Sequence, residues 1–312
     1  MKKAGIIGLG IVGSRVAKNL RQAGIHTYVW SRSPKPEPNF LGSAADVAQL
    51  APFIQIFVRN GQDLLEVVGA MLPSLTPDHV IANCATVDLD STKEAARQVA
   101  AAGASFLDCP FTGSKDAAEN GQLNYYVGGD PEVIERVRPL LELSSANIIP
   151  LGEIGHATVV KIATNMVTST TIQILSEALA VSVAHGVAPE TFQAAVEVNA
   201  CNSKVAAMKL PAMIAGDYEP HFSLNNMFKD SQFALTLAKE AGLAIVTGHQ
   251  DQPDIDDRDQ VEVRHAVQVE APGVIVRATE DDVAGFQHVA DVRCIHPAVH
   301  RPDLDIEAHP RH

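Results

Sequence analysis

An apolar run, a glycine loop and an amphipathic stretch follow one another at the start of the chain, in AGIIGLGIVGSRVAKNLRQA. This order restricts the fold more than any other feature. Residues Ala4–Gly8 read as a strand and Val12–Ala23 as a helix, with GLGIVG at 8–13 joining them. In a G-x-G-x-x-G loop the first glycine permits the tight turn. The second lets a pyrophosphate approach the backbone, and the third lets the helix pack closely on the strand. The helix N-terminus supplies free N–H groups and a partial positive charge. Gly8, Leu9, Gly10, Ile11, Val12 and Gly13 are therefore candidate contacts for a dinucleotide cofactor.

The next 130 residues continue the alternation. Strands are predicted at His26–Trp30, Phe53–Phe57, Val80–Asn83 and Ser105–Leu107, and helices at Gln62–Met71 and Ser91–Ala102. A further strand pair, Gln122–Val127 and Asn147–Pro150, flanks a helix that starts after Pro131. Alternation at this spacing predicts an α/β fold, a Rossmann-type doubly wound parallel sheet with helices on both faces. From about Gly155 the pattern becomes all-helical. A long, nearly uncharged segment runs to Gly186 and is expected to lie buried between other elements, followed by helices at Pro189–Asn199, Ser203–Ala215 and Leu224–Ala241. The predicted domains are 1–152, an α/β domain, and 153–245, an all-helical domain. Residues 246–312 form an atypical tail.

That tail differs sharply in composition. It has no lysine, one leucine (Leu304) and seven of the twelve histidines, and it carries 14 acids against 6 arginines. Two readings stand: an unusual C-terminal extension, or a shifted reading frame that makes the segment foreign to the fold. His296 with His300, and His309 with His312, share helical spacing, but Pro297 and Pro310 interrupt a helix, and no metal site is expected. The net charge of −13 argues against nucleic-acid binding. No run of about 18 uncharged apolar residues appears, so no membrane span is expected. Without a signal-peptide pattern, and with four scattered cysteines (Cys84, Cys109, Cys201, Cys294), the expectation is a cytoplasmic protein with reduced thiols.

The second strand ends in Ser31, Arg32 and Ser33, where a site selective for NAD places an acid. A guanidinium and two hydroxyls suit a 2′-phosphate, and no acid is there to repel it. This favours NADPH, with NADH still possible; as the alternative, Arg32 is a solvated surface residue. Thr112, Gly113 and Ser114 follow the strand FLDCP and could hold a carboxylate through backbone N–H groups and hydroxyls, although taken alone they make an ordinary polar turn. Lys161 and Asn165 lie four apart on the long helix, hence on one face. A lysine buried there is costly unless paired or functional, and burial lowers its pKa toward the range useful in acid–base work. The alternative is that it snorkels to solvent. Lys229-Asp230 reads locally as a solvated helical pair.

Together GLGIVGSRVAKNL, FLDCPFTGSKDAAENGQLNYYVGG, KIATN and FKDSQFALTLAKEAG resemble the β-hydroxyacid dehydrogenase family, from residue 3 to about 245. That family includes 3-hydroxyisobutyrate dehydrogenase, tartronate semialdehyde reductase and the glyoxylate/succinic semialdehyde reductases; GSKDAAENGQL is most similar to the last branch. The resemblance implies that Lys161 is the catalytic proton donor, that Asn165 orients the substrate, and that Thr112-Gly113-Ser114 holds its carboxylate. It implies that Val58 and Thr86 line the cofactor and that Lys229 closes over it; that 1–152 is an NADP-binding Rossmann domain; and that 153–245 is a helical substrate and dimerisation domain built on a long interdomain helix. The partner is then a small carboxylate-bearing substrate, and the assembly a homodimer or homotetramer if the C-terminal region permits. The implied activity is reduction of glyoxylate or succinic semialdehyde to the hydroxy acid. The alternatives are a 3-hydroxyisobutyrate or tartronate semialdehyde type dehydrogenase, and a catalytically silent NADP-binding interaction protein. Val12 replaces the family's usual methionine, and Thr112-Gly113-Ser114 replaces Ser-Gly-Gly. Arg59-Asn60 stands where Leu-Pro is common and is a candidate for shaping substrate choice. Lys161 argues against the related imine reductases, which generally lack that lysine.

Overall fold

The computed structural model describes residues 1–217, 223–243 and 245, and the backbone of 274–277 and 291–294. The histidine pairs of the tail, and most of that tail, lie outside the described residues. The chain divides into two compact units, Met1–Thr170 with His221–Asp251, and Thr171–Pro220 with Gln252–His312, the division falling inside the long helix.

The first unit is built on β1 (Lys3–Ile7), β2 (His26–Trp30), β3 (Phe53–Ile56), β4 (Val80–Asn83) and β5 (Ser105–Asp108). They form one parallel sheet in the order β2-β1-β3-β4-β5. The helices between them are α1 (Ile11–Gln22), α2 (Ala44–Leu50), α3 (Gly61–Met71) and α4 (Leu89–Ala101). A buried cluster on one face includes Ile6, Val16, Leu20 and Leu107, and one on the other includes Ile7, Val47, Leu64, Val68 and Val99. The doubly wound sheet is thus covered on both faces, because strands with no polar face must be buried on both sides. Side-chain oxygens of Ser43, Asn60 and Asp88 cap α2, α3 and α4, satisfying N–H groups that have no partner inside the helix. Helix α2 was not among the predicted elements, although its Ser43…Asp46 cap is a start signal.

After β5 the chain adds a smaller sheet, β6 (Phe111–Thr112), β7 (Leu123–Val127) and β8 (Ser145–Pro150), with α5 (Lys115–Glu119) and α6 (Pro131–Leu141). β6 runs antiparallel and β8 parallel to β7. The two-residue β6 and the single turn of α5 are too short to leave a periodic signal. The fully buried Tyr125 of β7 has its hydroxyl partnered by Gln55 (3.2 Å) and Ser144 (3.0 Å).

Helix α7 (His156–Ala184) crosses the division between the units. The expectation that it is buried on most faces is not met: Val167, Ile174 and Val181 are 62%, 58% and 59% exposed. By length and composition it could cross a membrane, with a mean hydropathy of 1.3. No uncharged apolar run marks it in the sequence, because α7 reaches this value by interleaving Thr, Ser and Asn with Val, Ile and Ala. Helix α10 (Leu224–Glu240) belongs to the first unit. The second unit contains α8 (Pro189–Val198) and α9 (Lys204–Ala215), with a small core of Leu175, Val196, Ala206 and Leu210. It also contains β9 (Val274–Arg277) and β10 (Asp291–Cys294), an antiparallel pair.

Candidate active site

The strand order reverses between β1 and β3, so the chain leaves these neighbours toward opposite faces and a crevice opens at their C-terminal ends. The glycine loop fills one side of it. Gly8 has φ +93°, and a Cβ there would stand 2.0 Å from the Phe57 carbonyl oxygen; a Cβ on Gly13 would stand 2.0 Å from that of Gly8. Both glycines are required for packing. A Cβ on Gly10 meets nothing within 4 Å. Gly10 is the N-cap of α1, with no side chain capping the first turn and no acid within it. Open space over uncapped N–H groups fits a pyrophosphate. Leu9 is buried and offers only its backbone, its carbonyl accepting a hydrogen bond from Lys35 Nζ. Ile11 is exposed at the loop and Val12 packs on the core. Lys35, not singled out in the sequence, thus adds a cation beside the loop.

At the end of β2, Ser31 Oγ donates to the Ser33 carbonyl at 2.7 Å. Arg32 is not in the acid-free setting expected of it. Its Nη2 bonds Asp63 and lies 3.4 Å from Glu66, both on α3. The nearest acids come from the third helix rather than the second strand, so reading along β2 misses them. These carboxylates raise the Arg32 pKa, Asp63 by its hydrogen bond first.

Lys161 is 8% exposed, and its Nζ donates to Asn165 Oδ1 at 2.9 Å. Asn165 Nδ2 donates in turn to Asp230 Oδ2 at 2.6 Å. Asp230 is 3% exposed, so the Lys229-Asp230 pair is not the solvated pair its local sequence suggests. Asp230 Oδ1 lies 3.3 Å from Lys229 Nζ, close enough for Coulomb attraction but not aligned as a hydrogen bond. Burial lowers the Lys161 pKa from 10.5 to about 8; the Asp230 charge opposes that fall and the Lys229 charge adds to it. Lys161 therefore does not snorkel.

Lys229 Nζ donates to the Thr86 carbonyl at 2.5 Å and the Arg59 carbonyl at 3.3 Å, and it lies 5.2 Å from the Phe233 ring centroid. Thr86 follows β4 and Arg59 follows β3, so Lys229 spans the open end of the sheet. Val58, between β3 and Arg59, packs against the second core cluster. Asn60 is committed to capping α3, and the Arg59 side chain is turned to Asp63 at 3.6 Å.

The N-terminus of α7 is held by Asp108, whose partners lie 47 to 50 residues away, so nothing local in the sequence marks it. Its Oδ2 accepts from the N–H groups of Gly155 (3.0 Å) and Thr158 (2.8 Å), and its Oδ1 from the Thr158 hydroxyl (2.8 Å). A carboxylate at the end of β5 thereby caps the helix that carries Lys161 one turn later. Burial raises its pKa, partly offset by those bonds. Thr112 lies in β6, Gly113 has φ +137°, and Ser114 Oγ accepts from Ala117 N as the cap of α5. Among the described residues no hydrogen bond joins this turn to Lys161.

Two family models match: the NAD-binding domain of 6-phosphogluconate dehydrogenase over residues 3–152, and the NAD-binding segment of NADP-dependent 3-hydroxyisobutyrate dehydrogenase over 155–253. The chain is 32% identical to 2-hydroxy-3-oxopropionate reductase of Escherichia coli over 251 residues, covering 77% of this chain and 86% of that protein. It is 29% identical to the chloroplastic glyoxylate/succinic semialdehyde reductase 2 of Arabidopsis thaliana over 246 residues, covering 75% and 68%. The fold matches that of 3-hydroxyisobutyrate dehydrogenase of Mycobacterium tuberculosis with a TM-score of 0.75, at 22% identity over 80% of this chain and 90% of that one. With a sheet that switches direction at a glycine loop, and these matches over both the Rossmann and the helical segments, the chain belongs to the β-hydroxyacid dehydrogenase family of NAD(P)-dependent oxidoreductases.

Proposed function

We propose that the protein is an NADPH-dependent reductase of small aldehyde acids, glyoxylate and succinic semialdehyde, with Lys161 as the proton donor. The observation that carries this reading is the run Lys161–Asn165–Asp230, buried at both ends, next to Lys229, which spans the ends of β3 and β4. A bound nicotinamide supplies the hydride for the carbonyl carbon. Lys161 gives its proton to the carbonyl oxygen, and the neutral amine left behind is the form that a buried site prefers. A pKa of about 8 keeps the acid charged near neutral pH yet ready to release its proton. Asp230 fixes the Asn165 amide so that its Oδ1 faces Lys161 and aims the ammonium. At the 112–114 turn, the Ser114 oxygen is occupied as an acceptor but its hydrogen is free to donate to a substrate carboxylate. Arg32 and Lys35 are the cations available to a 2′-phosphate.

The test is NADPH oxidation with each aldehyde acid by the parent protein and by Lys161→Ala. The expected loss in kcat is about 10²- to 10⁴-fold, the range for a positioned general acid, and the parent kcat falls as pH rises through about 8. Turnover that survives the substitution, or a rate flat across that pH range, refutes the assignment of Lys161.

A further inference from the structure

A guanidinium grips a phosphate with a planar fork of donors, and any edge already bound to a carboxylate is not offered. The Nη2 edge of Arg32 is held in this way by Asp63, with Glu66 at 3.4 Å. The two partners differ in mobility. The Arg32 side chain is 59% exposed and that of Asp63 13%. Asp63 lies in the first turn of α3, where its own N–H donates to Asn60 Oδ1 at 2.8 Å, and its other oxygen stands 3.6 Å from Arg59 Nε. Asp63 is therefore the fixed member and Arg32 the movable one. No such acid was visible at the end of β2; it is contributed from 31 residues away.

We propose that Asp63 sets the balance between the two nicotinamide dinucleotides, by competing with a 2′-phosphate for Arg32. The inference rests on the reading of Arg32 as the 2′-phosphate residue. A cofactor with a 2′-phosphate must draw Arg32 off Asp63 and then sit beside that carboxylate. A cofactor with a bare 2′-hydroxyl does neither. Asp63 thus restrains the NADPH preference that Arg32 creates and leaves NADH usable. A phosphate dianion about 6 Å from one carboxylate in a water-like dielectric is repelled by an amount equal to about tenfold in binding.

The test is titration of NADPH and NADH fluorescence in low-salt buffer on the parent, Asp63→Asn, Arg32→Ala and the double variant. Asp63→Asn is expected to tighten NADPH by at least about tenfold and leave NADH unchanged; in the Arg32→Ala background the repulsive part of that gain persists and the part due to the freed guanidinium is lost. If Arg32→Ala weakens NADPH selectively but Asp63→Asn leaves the ratio of the two cofactors unaltered, the inference is overturned and the reading of Arg32 stands. An unaltered ratio in Arg32→Ala overturns that reading, and the inference falls with it. Should Asp63→Asn not fold, Glu66→Gln on the exposed side must shift the ratio in the same direction by a smaller factor; no shift overturns the inference.

Discussion

Replacing Lys161 by methionine is expected to make the protein more stable at neutral pH while lowering kcat about 10²- to 10⁴-fold. Lys161 is 8% exposed, and its pKa falls from 10.5 to about 8 on folding. At about 1.36 kcal/mol per pH unit, the charged lysine costs the folded state about 3.4 kcal/mol at pH 7. Methionine fills a similar space without the charge, but it leaves Asn165 Oδ1 without its donor, at a cost of about 1–2 kcal/mol. The net gain is about 2 kcal/mol, or a rise of about 1 M in the urea midpoint for a slope near 2 kcal/mol/M. The sign depends on pH. The unfolded lysine keeps its proton up to about 10.5 while the folded one releases it near 8, so parent stability rises between those values. Above that window both states hold a neutral amine, and the variant becomes the less stable of the two. Trp30, the only tryptophan, ends β2 in the first unit, so its fluorescence follows the unit that holds Lys161. Urea unfolding of parent and variant at pH 7 and pH 10.5 measures the difference. A variant less stable than the parent at pH 7 refutes the claim that Lys161 is a buried charge held at a cost.

Two further substitutions separate folding from binding. Gly13→Ala forces a Cβ to 2.0 Å from the Gly8 carbonyl oxygen and is expected to lower the melting temperature markedly, whereas Gly10→Ala meets no atom and is expected to fold normally but bind NADPH and NADH more weakly; equal melting temperatures for the two refute this division. Asp108→Ala leaves two buried N–H groups unpartnered at the start of α7 and leaves the Thr158 hydroxyl with Thr92 alone, for an expected destabilisation of about 3–5 kcal/mol. Asp108→Asn, which retains one acceptor oxygen, is expected to lose less than half of that, and urea titration of the pair checks the order.

Much of the architecture was legible because its signals are local. Strands β2 and β4 and the C-terminal ends of α3, β7 and β8 were read to the residue; Pro73, Gly128 and Gly152 stand at or just beyond the last three ends and stop the runs there. The long helix was legible from the nearly uncharged segment between Gly155 and Gly186, which neither glycine nor proline breaks, and its Lys161–Asn165 pair from the pitch of the helix. Caps such as Ser43 were there to be read, yet α2 was missed because seven residues give barely two turns of periodicity. β6 and α5 are shorter still, and what fixes them is pairing with β7 and packing on α1.

The chain of residues by itself determined the fold class, the glycine loop and the placing of Lys161 and Asn165 on one helical face, because each depends on neighbours a few positions away. Only the tertiary structure decided what surrounds them. Asp230 reaches Asn165 across 65 residues, Asp63 reaches Arg32 across 31, and Asp108 reaches the start of α7 across 47 to 50. Charge and burial act through space. An aspartate that looks solvated in its own helix becomes a buried acceptor once another helix is laid against it, and no periodicity along the sequence records that meeting.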